Sequence, residues 1–219
     1  MDQFNNIIYI NLLHRTDRKN HVEQQLEQVG WKGQRFNAVK MDNGAIGCSI
    51  SHLKCLQMAK DKNWDNVVIV EDDITFLDPP LIKSKIENFL KIPKKWDVLL
   101  LAGNNVPPYQ EIDHTCIKVS HCQTTTGYIV QKHYYDELIN NIKTGLNYLL
   151  REPDKGFYYA IDKFWLKLQK KDNWFLIIPL SVIQKPGYSD IENRDTDYSK
   201  LLTSVNKRPM FKQPTLPYL

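Results

Sequence analysis

The chain has 219 residues, 42% hydrophobic and 25% charged, with a formal net charge of +4. That length supports one sizeable core. The charge excess is mild and sits in lysine-rich faces, so nucleic acid is not an expected partner.

No apolar run approaches the roughly 20 residues needed to span a bilayer. The N-terminus shows neither a basic start nor a small-residue cleavage site, and is read as carrying no signal peptide, which points to the cytoplasm. The four cysteines, Cys48, Cys55, Cys116 and Cys122, form no C-x-x-C pair and no zinc-ligand spacing. Cys48 and Cys55 are expected to be core packing on a helix.

Taken in chain order, residues 6–12 predict a first strand. A helix follows over 16–30, with Thr16 as cap, Asp17 in its first turn and Gly30 at its end. A short strand is predicted at 34–39, then a polar loop, then a helix over 48–62. Residues 66–71 form an apolar run without alternation, as in a strand buried on both faces. Pro79 and Pro80 open a helix to about Lys91, and 96–103 reads as another buried strand.

From there the pattern changes. Residues 116–122 and 125–131 alternate loosely and predict antiparallel strands. Helices are predicted at 133–150 and 158–171, and a late strand at 174–180. The C-terminal stretch is polar and Pro-containing, expected to be loosely ordered or docked on a partner. The early β-α alternation predicts an α/β sheet with helices on both faces, binding ligands beyond the carboxyl ends of its strands.

At one such end three carboxylates stand in a row, in "VVIVEDDITF": Glu71, Asp72 and Asp73. Buried carboxylates need a positive partner. Solvated turn residues are one explanation, but that predicts one well-placed acid rather than three. A phosphohydrolase loop of the haloacid-dehalogenase type is another, with Glu71 at the nucleophile position and two β-α units too many before it. The third is a divalent-cation site for a nucleotide diphosphate, since Mg²⁺ and Mn²⁺ take carboxylate and phosphate oxygens. On an extended backbone Glu71 and Asp73 share one side and Asp72 takes the other.

The ordered stretches "IYINLLHRTDRK", "GAIGCSISHLKC", "VVIVEDDITF", "TTTGYIVQKHY", "AIDKFWLKL" and "PLSVIQKPGYSDIEN" resemble glycosyltransferase family 25, which includes lipooligosaccharide and collagen galactosyltransferases. The resemblance runs from about Ile7 to Asn193. It implies a single GT-A-like domain with a mixed, mostly parallel central sheet over residues 1–195, and a tail over 196–219. It also implies an inverting, metal-dependent transfer of a hexose, galactose or glucose, from a UDP-sugar to a glycan or protein acceptor. A non-catalytic glycan-binding relative is the remaining alternative.

The resemblance carries residue roles with it. Asp73, with Glu71, would hold Mn²⁺ or Mg²⁺, and Asp72 would meet the ribose or a metal-bound water. Ile10, Asn11 and Leu12 would line the uridine, while Arg15 and Arg18 would pair with the diphosphate. His52 would orient Asp72 or Asp73. Thr126, Gly127 and Tyr128 would line the donor sugar. Asp162, just after the aromatic run Phe157, Tyr158 and Tyr159, would be the general base, with Asp190 as the alternative. The last histidine is His133, so Gln184 and Asp190 are the late oxygen ligands available.

Overall fold

A computed structural model describes residues 4–91 and 93–207. The chain begins β1 (Ile7–Asn11), α1 (Thr16–Gln28), β2 (Gln34–Asn37), α2 (Gly44–Asp61) and β3 (Asn66–Glu71). A short β4 (Ile74–Phe76) precedes α3 (Pro79–Lys91) and β5 (Val98–Leu100). Five strands follow: β6 (Asn104–Asn105), β7 (Tyr109–Glu111), β8 (Cys116–Val119), β9 (Cys122–Gln123) and β10 (Gly127–Gln131). The long α4 (Tyr135–Arg151) leads into three short helices, α5 (Gly156–Tyr159), α6 (Ile161–Phe164) and α7 (Leu166–Lys171). The chain then runs through β11 (Trp174–Ile177), β12 (Val182–Gln184), the hairpin β13 (Gly187–Ser189) and β14 (Arg194–Thr196), and α8 (Ser199–Leu202).

Eight strands form one sheet in the order β2-β1-β3-β10-β5-β11-β8-β7. The expected α/β sheet with helices on both faces is present. The apolar run of β3 splits by parity. Val67 and Ile69 enter one core with Leu53 and Leu56 of α2 and Leu138 and Ile142 of α4. Val68 and Val70 enter the other with Val22 and Leu26 of α1 and Ile82 and Ile86 of α3. Both faces are covered, so neither set of side chains needs to be polar.

The β-α alternation does not foretell one feature. β10 inserts between β3 and β5, antiparallel to both. Among the described strands, β2, β1 and β3 are parallel neighbours and so are β5 and β11, while the other adjacent pairs are antiparallel. Because β10 runs the opposite way, it starts where β3 ends. Residues 124–126 therefore lie against the acidic cluster, and the Glu71 N–H donates to Thr126 O at 2.9 Å.

Three local expectations change. Arg15, not Thr16, is the N-cap of α1, and no side chain caps that end. The loop expected before residue 48 is helical from Gly44, because Asn43 Oδ1 accepts from Ile46 N at 3.2 Å and caps α2. Gly47 lets this first turn press on the end of β2's loop, where a Cβ would lie 2.4 Å from Val39 O. The helix expected over 158–171 is three pieces. Ala160 has ψ 148°, outside the helical region, so Asp162 falls in the first turn of a new helix.

Beyond the hairpin, Leu202 is 1% exposed and Val205 packs on the same core as α2 and α4. Residues 208–219 of the expected tail lie outside the described residues. Among the described residues, no helix is long and apolar enough to cross a membrane.

Candidate active site

The site forms at the carboxyl ends of β1 and β3. β3 ends at Glu71 and the chain turns through Asp72 and Asp73 into β4. β12 pairs with β4, with Gln184 opposite Ile74, and Lys185 N donates to Asp73 O at 2.7 Å. The turn is therefore clamped from both sides by backbone.

The parity expected for the three acids holds for two of them. Glu71 continues the Val67–Ile69 side and meets α2, while Asp72 continues the Val68–Val70 side and meets α1. Asp73 does not return to the side of Glu71, because the backbone is no longer extended there. It joins Asp72 instead: Arg18 Nη1 lies 3.0 Å from Asp72 Oδ1 and 3.3 Å from Asp73 Oδ2. Arg18 Nη2 also donates to Tyr188 O at 2.7 Å, so the β13–β14 hairpin is tied over the site.

Asn11, 1% exposed, ends β1 and bridges its own turn to the acids. Its Nδ2 donates to Asp72 Oδ2 at 2.7 Å and to Arg15 O at 3.0 Å. Ile10 is buried, 8% exposed, and Leu12 lies beside the turn with its carbonyl accepting from Arg15 N at 3.0 Å. Arg15 grips Asp17 with two hydrogen bonds, at 3.0 and 2.9 Å, and reaches Asp190 Oδ2 at 2.5 Å. Asp190, in the hairpin turn, also lies 3.8 Å from His14 Nε2. The hairpin packs on the start of α2 as well, where a Cβ on Gly44 would lie 2.7 Å from Ile191 Cα.

His52 is not the partner of Asp72 or Asp73. Its Nε2 lies 3.3 Å from Glu71 Oε1, and its Nδ1 lies 2.8 Å from the Tyr128 hydroxyl. Parity explains this: His52 is on α2, and only Glu71 points that way. Glu71 Oε1 also accepts from Thr125 Oγ1 at 2.7 Å, and Cys48 Sγ lies 3.7 Å away. Tyr128 is fully buried, stacked on His52 and edge-on to Trp165, so its ring faces the core rather than an open donor pocket. Gly127 is a packing glycine, where a Cβ would lie 2.8 Å from Ile74 Cδ1. Thr126 is buried, and its hydroxyl pairs with that of Thr124 at 2.7 Å.

Thr124 has φ 86°, an outlier for a β-branched residue. Its N–H donates to Asp162 Oδ2 at 3.2 Å. The start of β10 thus joins the acidic turn at one end and Asp162 at the other. Asp162 also lies 3.8 Å from Lys163, with 22% of its side chain exposed.

The electrostatics follow from this layout. Burial and the charge of Glu71 push Asp73 up to about 8, against the pull of Arg18. Burial also raises Asp72, despite Asn11 and Arg18. Burial works to raise Glu71 too, but the hydrogen bond and charge of His52 outweigh it and hold Glu71 below its usual value. Burial and Glu71 hold the Cys48 thiol well above the usual range.

Two oxygens at the turn, Asp73 Oδ1 and Asn11 Oδ1, are buried without a hydrogen-bond partner among the described residues. Orphaned buried oxygens beside a raised carboxylate are suited to a cation. The hard oxygens of Asp72 and Asp73 suit Mg²⁺ or Mn²⁺.

Lys185, Tyr188 and Thr124 carry no local sequence signal, because they reach the site through strand pairing and a hairpin. Cys48 is expected from the sequence in packing alone. Its four-residue spacing from His52, on one helix face, is the available sign of something more.

The chain is similar to a glycosyltransferase involved in the glycosylation of the major capsid of PBCV-1, at 12% identity over 90% of this chain and 89% of that one, TM-score 0.47. It is also similar to a mannose-1-phosphate geranyltransferase from Thermus thermophilus, at 9% identity over 78% and 72%, TM-score 0.42. A Drosophila galactosyltransferase in complex with manganese, UDP-Gal and xylobiose matches at 16% identity over 60% and 50%, TM-score 0.35. These likenesses are distant, and nothing about activity follows from them. No curated protein matches the sequence significantly. The family profile of glycosyltransferase family 25 (LPS biosynthesis protein) matches residues 39–164. That stretch is more than half of the chain and runs from the approach to α2, through the acidic turn, to Asp162, and the protein belongs to this family.

Proposed function

We propose that this glycosyltransferase moves a hexose, galactose or glucose, from a UDP-sugar to a hydroxyl of a glycan or protein, with metal dependence and inversion of the anomeric centre. The observation that supports it most is the turn after β3. There two carboxylates share one guanidinium, Asp73 is raised to about 8, and two buried oxygens have no partner among the described residues.

Asp73 and Asp72 would hold Mn²⁺ or Mg²⁺, which supplies neutralisation of the charge growing on the departing diphosphate. Glu71, turned toward His52, acts as a support for the turn. Asn11 fixes Asp72, and its Oδ1, without a partner among the described residues, stands at the same turn. Arg18 exchanges a carboxylate for a diphosphate oxygen, and Arg15 stands beside it. Thr126 and Gly127 lend backbone to the donor side.

Asp162 is the better general base. Asp190 is occupied by Arg15, whereas among the described residues Asp162 is held by the Thr124 N–H and a lysine 3.8 Å away. The exposed Phe157, 59% accessible, stands one short helix away and suits a sugar face.

Calorimetric titration with UDP, with and without Mn²⁺, tests the assignment. Binding that strengthens with the metal and is lost in Asp73→Asn is expected. Absence of UDP binding both with and without Mn²⁺ would refute it.

A further inference from the structure

We propose that Cys48, His52 and Glu71 form a binding site for a soft divalent cation of the zinc class, separate from the turn at Asp72 and Asp73. The three donor atoms, Sγ, Nε2 and Oε1, all lie within 4.8 Å of one another. Cys48 and His52 are one turn apart on α2, and Glu71 ends the central strand β3, so rigid elements hold all three.

Bond lengths in a tetrahedral zinc site are about 2.3 Å to sulfur and about 2.0–2.2 Å to nitrogen and oxygen. A tetrahedron with those lengths has a nitrogen–oxygen edge of about 3.4 Å and a sulfur–oxygen edge of about 3.6 Å. The separations here are 3.3 Å from His52 Nε2 to Glu71 Oε1 and 3.7 Å from Cys48 Sγ to the same oxygen. As hydrogen bonds both are long. As edges of a coordination tetrahedron both fit.

The surrounding contacts agree. His52 Nδ1 meets the Tyr128 hydroxyl at 2.8 Å, so Nε2 is the ring nitrogen turned toward Glu71 and the proposed metal position. Thr125 Oγ1 holds the Glu71 carboxylate at 2.7 Å. The Glu71 side chain keeps 17% exposure, which leaves a side open for water as fourth ligand. On binding, the Cys48 S–H bond breaks, a sulfur–metal bond forms, and the proton goes to solvent. Thiolate and carboxylate then balance the two charges of the ion with neutral imidazole. Thiolate and imidazole select zinc or cobalt, while Mn²⁺ and Mg²⁺ prefer the all-oxygen turn. The inference does not rest on the transferase assignment.

Titration of the metal-free full chain with Co²⁺, followed by absorption, tests it. Expected is one equivalent giving a thiolate-to-cobalt charge-transfer band with tetrahedral d–d bands, displaced by Zn²⁺. The band should vanish in Cys48→Ser and persist in Asp73→Asn. Tyr128→Phe should weaken binding about 10–100-fold. X-ray absorption of the zinc-loaded wild type adds a readout that needs no variant, and one sulfur with nitrogen and oxygen neighbours is expected. No thiolate band in the wild type, a band that survives in folded Cys48→Ser, or an all-oxygen shell would each overturn the proposal.

Discussion

Replacing Asp73 with asparagine should stabilise the protein at high pH while disabling it. The Asp73 carboxyl is raised from the ordinary 3.8 to about 8. Between those values the folded state holds a proton that the unfolded state has released. Stability therefore falls as pH rises through this window. The groups facing Asp73 are Glu71, Asp72 and Arg18. Asp72 is also raised and pulls in the same direction. Glu71 is held below its ordinary 4.5, so its contribution varies only at more acid pH.

A rise of roughly four units, at about 1.4 kcal/mol each, sets a ceiling near 6 kcal/mol. Relaxation and an effective dielectric well above that of a dry interior reduce this, and about 2 kcal/mol is expected. For a chain of this size that is a shift of about 4–8 °C in Tm. Thermal unfolding in metal-free buffer should show Asp73→Asn level with wild type near about pH 3.5, below the ordinary carboxyl value, and higher near about pH 8.5. Added Mn²⁺ should raise the Tm of the wild type but not of the variant. An Asp73→Asn protein less stable than wild type at the higher pH, or an equal gap at both, would show that Asp73 does not hold a proton in the folded state.

Other outcomes follow from the same geometry. Arg18→Gln should bind Mn²⁺ alone about tenfold more tightly, since the acids lose their resident cation, and bind UDP more weakly; a calorimeter reads both. Asp162→Asn should leave UDP binding intact and reduce acceptor-dependent transfer by about 10²–10⁴-fold, measured as kcat. Gly47→Ala drives a Cβ to 2.4 Å from a backbone oxygen and should cost about 1–3 kcal/mol by denaturant unfolding. Gly127→Ala crowds the end of the Ile74 side chain, with Leu101 and Val70 at ordinary contact distance, and should cost less. Leu202→Ala should cost about 2–5 kcal/mol, because that side chain is 1% exposed.

Much of the architecture is legible because burial on two faces writes a plain signal. The continuous apolar runs of β3 and β5 and the Pro79-Pro80 start of α3 need only local rules. The acidic cluster is also legible as a site, because three acids after a buried strand have few structural uses. Its internal geometry is not. Strand parity assigns Glu71 and Asp72 to their faces, but it fails at Asp73, where a turn replaces extended backbone. That turn is fixed by pairing of β4 with β12, far later in the chain. The insertion of β10 beside β3 is non-local in the same way. So is the role of His52: helix spacing puts it on the buried face, but which acid it meets depends on sheet geometry. Arg15 and Arg18 are expected to pair with a diphosphate; in the structure Asp17 and Asp190 hold Arg15, and Asp72 and Asp73 hold Arg18.

The most direct measurement is release of UDP from a panel of UDP-hexoses with Mn²⁺, with and without glycan acceptors. Metal-dependent release from at least one donor by the wild type, and none by Asp73→Asn, is expected. No release from any donor, or equal release by the variant, would contradict it.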